Sequence, residues 1–92
     1  MKLDLGCGNR KEPGFTGVDL AALPDVDVVH DVRVRPWPFE DESVEEARAC
    51  HFLEHLTGPE RMVFMEELYR VLQRGAKTTI VTPYWTSMRA FL

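Results

Sequence analysis

The opening stretch Lys2-Leu3-Asp4-Leu5-Gly6-Cys7-Gly8-Asn9, taken with the aspartate of Gly17-Val18-Asp19-Leu20, constrains the fold of this chain more than any other feature. Leu3 and Leu5 mark a short strand over residues 2–5 that runs directly into two glycines separated by one residue. Glycines there let the backbone turn sharply and leave no Cβ where a ligand must lie against the main chain. A second strand over residues 15–18 then delivers Asp19 at its carboxyl end. A carboxylate so placed accepts hydrogen bonds from the vicinal hydroxyls of a ribose, as in doubly wound sheets. Residues 1–20 therefore read as a nucleoside site.

The glycine count narrows the choice of nucleoside. A dinucleotide fingerprint carries a third glycine, which lets the next helix pack closely and aim its amino end at a pyrophosphate. Lys11 stands at that position, and no Gly-Lys-Ser/Thr phosphate loop occurs anywhere. The link between the first two strands is also short, because Pro13-Gly14 ends any helix begun at Asn9. Only one turn fits, whereas a parallel crossover ordinarily takes about a dozen residues or more.

The pattern resembles motif I of the class I S-adenosylmethionine-dependent methyltransferases. One branch of that family has a contracted first connection ending in Pro-Gly-aromatic, as Pro13-Gly14-Phe15 does here. The resemblance implies that Asp4 helps hold the methionine amino end, that Gly6, Cys7 and Gly8 lie against the cofactor, and that Asp19 and Leu20 meet the ribose. Val26-Asp27-Val28-Val29-His30 has the β-branched content of a third strand. Asp31 follows it and matches the family's acceptor for the adenine amino group, with Val32 beside it. A fourth strand is predicted over residues 44–50, on position more than on pattern. By the same resemblance, the backbone of Ala49, Cys50 and His51 lies beside the methionine portion and sulfonium, and His51 is the candidate catalytic base. Leu53-Glu54-His55 is similar to the family's Leu-Glu-His triplet after strand four, and residues 67–75 to its helix before strand five.

That helix has its own local signals. Thr57 and Glu60 form a capping box, Pro59 suits the first turn, and Gly75 stands where a C′ residue is wanted. Met62, Met65, Leu68, Tyr69 and Leu72 recur at helical spacing, widened by Phe64 and Val71, and predict the buried stripe. Residues 77–82 form a fifth strand, ended by Pro83. Arg35-Pro36-Trp37-Pro38-Phe39 is a stiff loop whose aromatics plug the edge of the core in preference to roofing the adenine. The expected fold is α/β: a Rossmann-like parallel sheet of about five strands in the order 3-2-1-4-5, with a contracted first helix and one long helix before strand five.

Size and charge bound the partners. A chain of 92 residues makes one domain, residues 1–92, and its net charge of −4 argues against a nucleic-acid backbone. Cys7 and Cys50 lack zinc spacing, and His51 and His55 lack the companion ligands of a metal site, so no metal is expected. Two cysteines far apart in sequence with no pairing motif point to a reducing cytoplasm, and no apolar run approaches the roughly 20 residues of a membrane span, so no membrane partner is expected. Relatives in the family continue into two further strands, so the chain is read as the cofactor-binding half of a methyltransferase, truncated after strand five, with the acceptor open. The alternative is a catalytically inactive methyltransferase-like domain serving as a binding, regulatory or interaction subunit. With one long helix, one face of the sheet stays open, and parallel sheets are normally covered on both. A homo-oligomer or a partner protein covering that face is therefore expected.

Overall fold

The structure, a computed structural model, describes residues 1–50 and 52–81. Its strands are β1 (Lys2–Leu5), β2 (Thr16–Asp19), β3 (Val28–Val29), β4 (Val44–Cys50) and β5 (Leu72–Val81). A short 3-10 turn at Leu53–His55 and helix α1 (Gly58–Val71) join β4 to β5. Every pairing is parallel and the strand order is β3-β2-β1-β4-β5, as predicted. The link from β1 to β2 holds turns and no helix, also as expected.

The strand ends differ in detail from the sequence expectation. β2 starts at Thr16 and runs on to Asp19, and β3 keeps only two of the five residues assigned to it. Asp27 accounts for the second difference. Its Oδ2 accepts hydrogen bonds from the Gly17 backbone N–H at 2.7 Å and from Lys11 Nζ at 3.0 Å. A side chain here takes a donor that a ladder would otherwise use, and the regular pairing shrinks to Val28–Val29.

Register builds the core. Leu3 pairs with Ala47 and Leu5 with Val18, so these side chains share one face with Ala49. α1 contributes Phe64, Leu68 and Val71 to the same buried cluster, and the loop after β3 contributes Val32 and Trp37. Trp37 is 2 % exposed, the core-plugging role expected of it. The capping box is formed: Thr57 Oγ1 accepts from the Glu60 N–H at 3.3 Å, and Glu60 Oε1 accepts from the Thr57 N–H at 2.8 Å.

Two expectations about α1 need correction. The buried face is Phe64, Glu67, Leu68 and Val71, while Met62, Met65 and Tyr69 stand exposed, Tyr69 at 86 %. A carboxylate sets this rotation. Glu67 Oε1 accepts from the Trp37 backbone N–H at 2.7 Å and from Arg70 Nη2 at 2.9 Å, and Arg70 Nε donates to Glu67 Oε2 at 3.1 Å. Turning the helix to seat that network exposes the methionines. The helix also stops at Val71 rather than before Gly75, because Leu72 turns extended and pairs with Val44. Residues 73–76 then loop out before Lys77 pairs with Glu46, and Gly75, at φ 77°, makes the turn.

The opposite face of the sheet is polar. Glu46 lies 3.7 Å from Lys2 and 4.0 Å from Lys77, while Arg48 reaches Glu12 at 2.9 Å. The 9–15 connection covers part of it through Glu12, whose N–H donates to Asp4 Oδ2 at 2.8 Å. Water can wet a face laced with ion pairs, so it offers a partner little apolar burial. Among the described residues, no helix is long and apolar enough to cross a membrane.

Candidate functional site

The glycine turn is built at the carboxyl end of β1. Gly6 takes φ 71°, its N–H donates to Val18 O at 2.7 Å, and the Phe52 ring lies close above it. A Cβ at Gly6 would stand 2.5 Å from Phe52 Cδ1, so only glycine fits under that ring. Two residues on, the Gly8 N–H donates to Asp19 Oδ2 at 2.8 Å. Asp19 Oδ1 accepts from the Leu20 N–H at 2.7 Å and the Ala21 N–H at 3.3 Å. One carboxylate thus ties the glycine turn to the end of β2. An ionised carboxylate offers about four acceptor positions, and three are used, which leaves one for a ligand hydroxyl.

Beside this turn lies a cleft of about 160 Å³. Asp19 and Leu20 form one side, the 30–33 segment after β3 a second, and Phe52, His55 and Leu56 after β4 the third. This is the carboxyl end of the parallel strands, where open α/β sheets bind ligands. Asp31 carries three donors from one residue: the Arg33 backbone N–H at 3.0 Å, Nε at 2.9 Å and Nη2 at 2.8 Å. The Arg33 guanidinium holds the Asp31 carboxyl below the usual range, so it stays an acceptor at neutral pH. Arg33 is itself steadied by Glu60, 3.6 Å away.

Asp19, Leu20, Asp31 and Val32, picked from two separate stretches of sequence, line this single cleft. Gly6 and Gly8 adjoin it through Phe52 and Asp19. Asp4 does not line it. Its carboxyl is buried on the polar face, where Oδ2 accepts from Glu12 and Oδ1 lies 3.9 Å from Arg48 Nε. Burial raises the Asp4 pKa, and the side chain anchors the contracted connection. Cys7 packs against Gly17, with its thiol pushed up to about 11 by burial, hence unreactive. Ala49 is buried in the core, and Cys50 Sγ accepts from Arg48 Nη2 at 2.9 Å on the far face. His51 lies outside the described residues, as do Thr82 of the expected fifth strand and Pro83 after it.

Sequence reasoning did not pick out Arg33, Phe52 or Leu56 as cleft residues. The Asp31-x-Arg33 spacing was a usable signal for the first, since such a pair folds back within a turn. Nothing in the sequence announces that Phe52 covers Gly6. A second, larger hollow of about 590 Å³ sits between Asp41, Tyr69 and the looped-out 73–76 segment. It contains none of the residues matched to motif I.

A family model described as a methyltransferase domain matches residues 3–80, from within β1 nearly to the end of β5. No curated protein and no solved structure matches the chain. With that match running through the parallel sheet and both sides of the glycine turn, the chain belongs to the methyltransferase domain family.

Proposed function

We propose that the chain binds S-adenosylmethionine and supports transfer of its methyl group, with the adenosine in the cleft between Asp19 and Asp31. The observation that carries this reading is the meeting of those two carboxylates with Leu20 and Val32 around one hollow. The residues fit the ligand. At about 160 Å³ the cleft is smaller than the roughly 300–1,000 Å³ of drug-sized pockets, so it suits one ring system rather than a whole cofactor. Leu20, Val32 and Phe52 give apolar surface for the base, Asp31 an acceptor for an exocyclic amine, and Asp19 an acceptor for a ribose hydroxyl. The methionine portion would run past Gly8, where a Cβ would meet nothing within 4 Å, whereas at Gly6 the Phe52 ring lies over the main chain.

Bound S-adenosylmethionine supplies its own sulfonium leaving group. What the chain contributes is binding and orientation, and orientation alone accounts for roughly 7–11 kcal/mol in well-placed intramolecular reactions. His51 is kept as the proposed base for the acceptor, a role worth on the order of 10²–10⁴-fold in rate. Cys7 and Cys50 are free thiols, which suits a reducing cytoplasm. Since the open face is polar, we place the expected oligomer contact at the outer edge of β5, where no described strand pairs.

Calorimetric titration with S-adenosylmethionine and S-adenosylhomocysteine tests the reading. The chain binds both, and Asp19→Ala weakens each by about tenfold or more, the loss of one charge-assisted hydrogen bond. No binding to the unmodified chain would overturn it. Binding without label transfer from methyl-labelled cofactor to any acceptor would assign the alternative, a binding subunit.

A further inference from the structure

We infer that Trp37 is a positioning residue for the cleft, acting on two of its walls through its indole N–H and one chain of aromatic contacts; the part concerning affinity rests on the reading just given. Trp37 does not line the cleft, yet its indole Nε1–H donates to Val32 O at 3.0 Å, and Val32 does. Its ring meets Phe64 edge-on with centroids 5.4 Å apart, and Phe64 in turn meets Phe52 at 5.9 Å. Phe52 lines the cleft from the other side and covers Gly6. One indole therefore supports both the 30–33 wall and the Phe52 wall.

Trp37 is itself held at every polar group it owns. Its N–H donates to Glu67 Oε1 at 2.7 Å and its carbonyl accepts from Arg70 Nη2 at 3.1 Å, both from α1. Buried polar groups left without partners are costly, so the three contacts fix this residue in one placement. A side chain fixed by a helix and bonded to the backbone of a binding loop transmits the helix's rigidity to that loop. Apart from Trp37, the 31–34 turn is held by contacts at its own residues: the Val34 N–H donates to Asp31 O at 2.9 Å, Asp31 holds Arg33, His30 Nε2 lies 2.9 Å from Val34 O, and Arg33 lies 3.6 Å from Glu60.

Trp37→Phe removes the bond to Val32 and keeps an aromatic ring. A benzothienylalanine at position 37, which replaces the indole N–H by sulfur at nearly constant volume, serves if the phenylalanine variant fails to fold. Two readings are taken on the folded variant. Amide exchange at Arg33 and Val34 quickens about tenfold while Gly6, bonded to Val18 on the other side of the cleft, is unchanged, because local opening is set by local contacts. S-adenosylhomocysteine binds about fivefold more weakly, the worth of one ordinary hydrogen bond. Equal quickening at Val34 and Gly6 would reveal a merely structural role and overturn the inference, as would no change at Val34. A loosened turn with unchanged affinity would overturn its ligand half. If the unmodified chain binds no S-adenosylhomocysteine, the cofactor reading fails, and the exchange measurement still decides the positioning role.

Discussion

Removing the Arg70 side chain is the sharpest stability perturbation the fold offers. Arg70 donates to both oxygens of Glu67, to Asp41 at 2.8 Å, and to the carbonyls of Phe39 and Trp37. The Glu67 side chain is 9 % exposed, and the Arg70 hydrogen bond is the chief cause of its lowered pKa. Arg70→Met leaves that carboxylate buried beside the Trp37 N–H alone. Stripping one partner from a buried ion pair costs about 3–5 kcal/mol, and the 28 % exposure of Arg70 argues for the lower end. A domain of this size has on the order of 5–10 kcal/mol to lose. With a urea slope of roughly 1–1.5 kcal/mol per molar, the midpoint falls by about 2 M. The melting temperature falls by about 12–20 °C. Urea titration followed by circular dichroism reads the loss. Adding Glu67→Gln recovers part of it, since the amide oxygen still accepts from Trp37 without an unpaired charge. A loss under about 1 kcal/mol, or a double variant no better than the single one, would refute the assignment of Glu67 and Arg70 as a buried clamp.

Three further outcomes follow from the same contacts. The stability that unmodified protein holds over Glu67→Gln is fully present above the unfolded glutamate value of about 4.3 and is lost as pH falls through the lower folded value; melting curves between neutral pH and pH 3 check this, and a gap that widens on acidification contradicts it. Asp4 has the opposite sign, because burial raises its folded pKa: Asp4→Asn, which keeps an acceptor for Glu12, gains most at neutral pH and loses that gain in acid. Gly6→Ala forces a side chain into a φ of 71° and against Phe52, and thermal melts should show a loss of about 1–3 kcal/mol, partly restored by Phe52→Ala. Sedimentation at high micromolar concentration should show self-association through the β5 edge, weakened by a proline in place of Thr79; a monomer throughout contradicts that contact.

The boundaries of β1, the capping box and the glycine turn were legible in the sequence because each has a local chemical signature, whereas the strand order and the boundaries of β4 came from the expected topology and from position along the chain. Asp19 and Asp31 were legible for a related reason: each stands at the end of its own strand, and parallel strands bring such ends together. The rotation of α1 was not. Apolar periodicity counts methionine and tyrosine as buried and glutamate as exposed, and nothing local reveals that Glu67 will meet the Trp37 N–H thirty residues away. The early end of the helix was hidden likewise, since pairing of Leu72 with Val44 overrides the last helical turn. The surroundings of Asp4 were not legible: alternation along β1 sends it to the face opposite Leu3 and Leu5, where its carboxylate accepts from the Glu12 N–H and lies 3.9 Å from Arg48.

The central claim is that the cleft between Asp19 and Asp31, and not the larger hollow by Tyr69, receives the nucleoside. Titrating labelled protein with S-adenosylhomocysteine and following backbone amide resonances tests it most directly. The account predicts shifts concentrated at Gly8, Leu20, Val32 and Arg33, with Tyr69 and Ala76 unmoved. Shifts centred on residues 69–76, or none at saturating ligand, would contradict it.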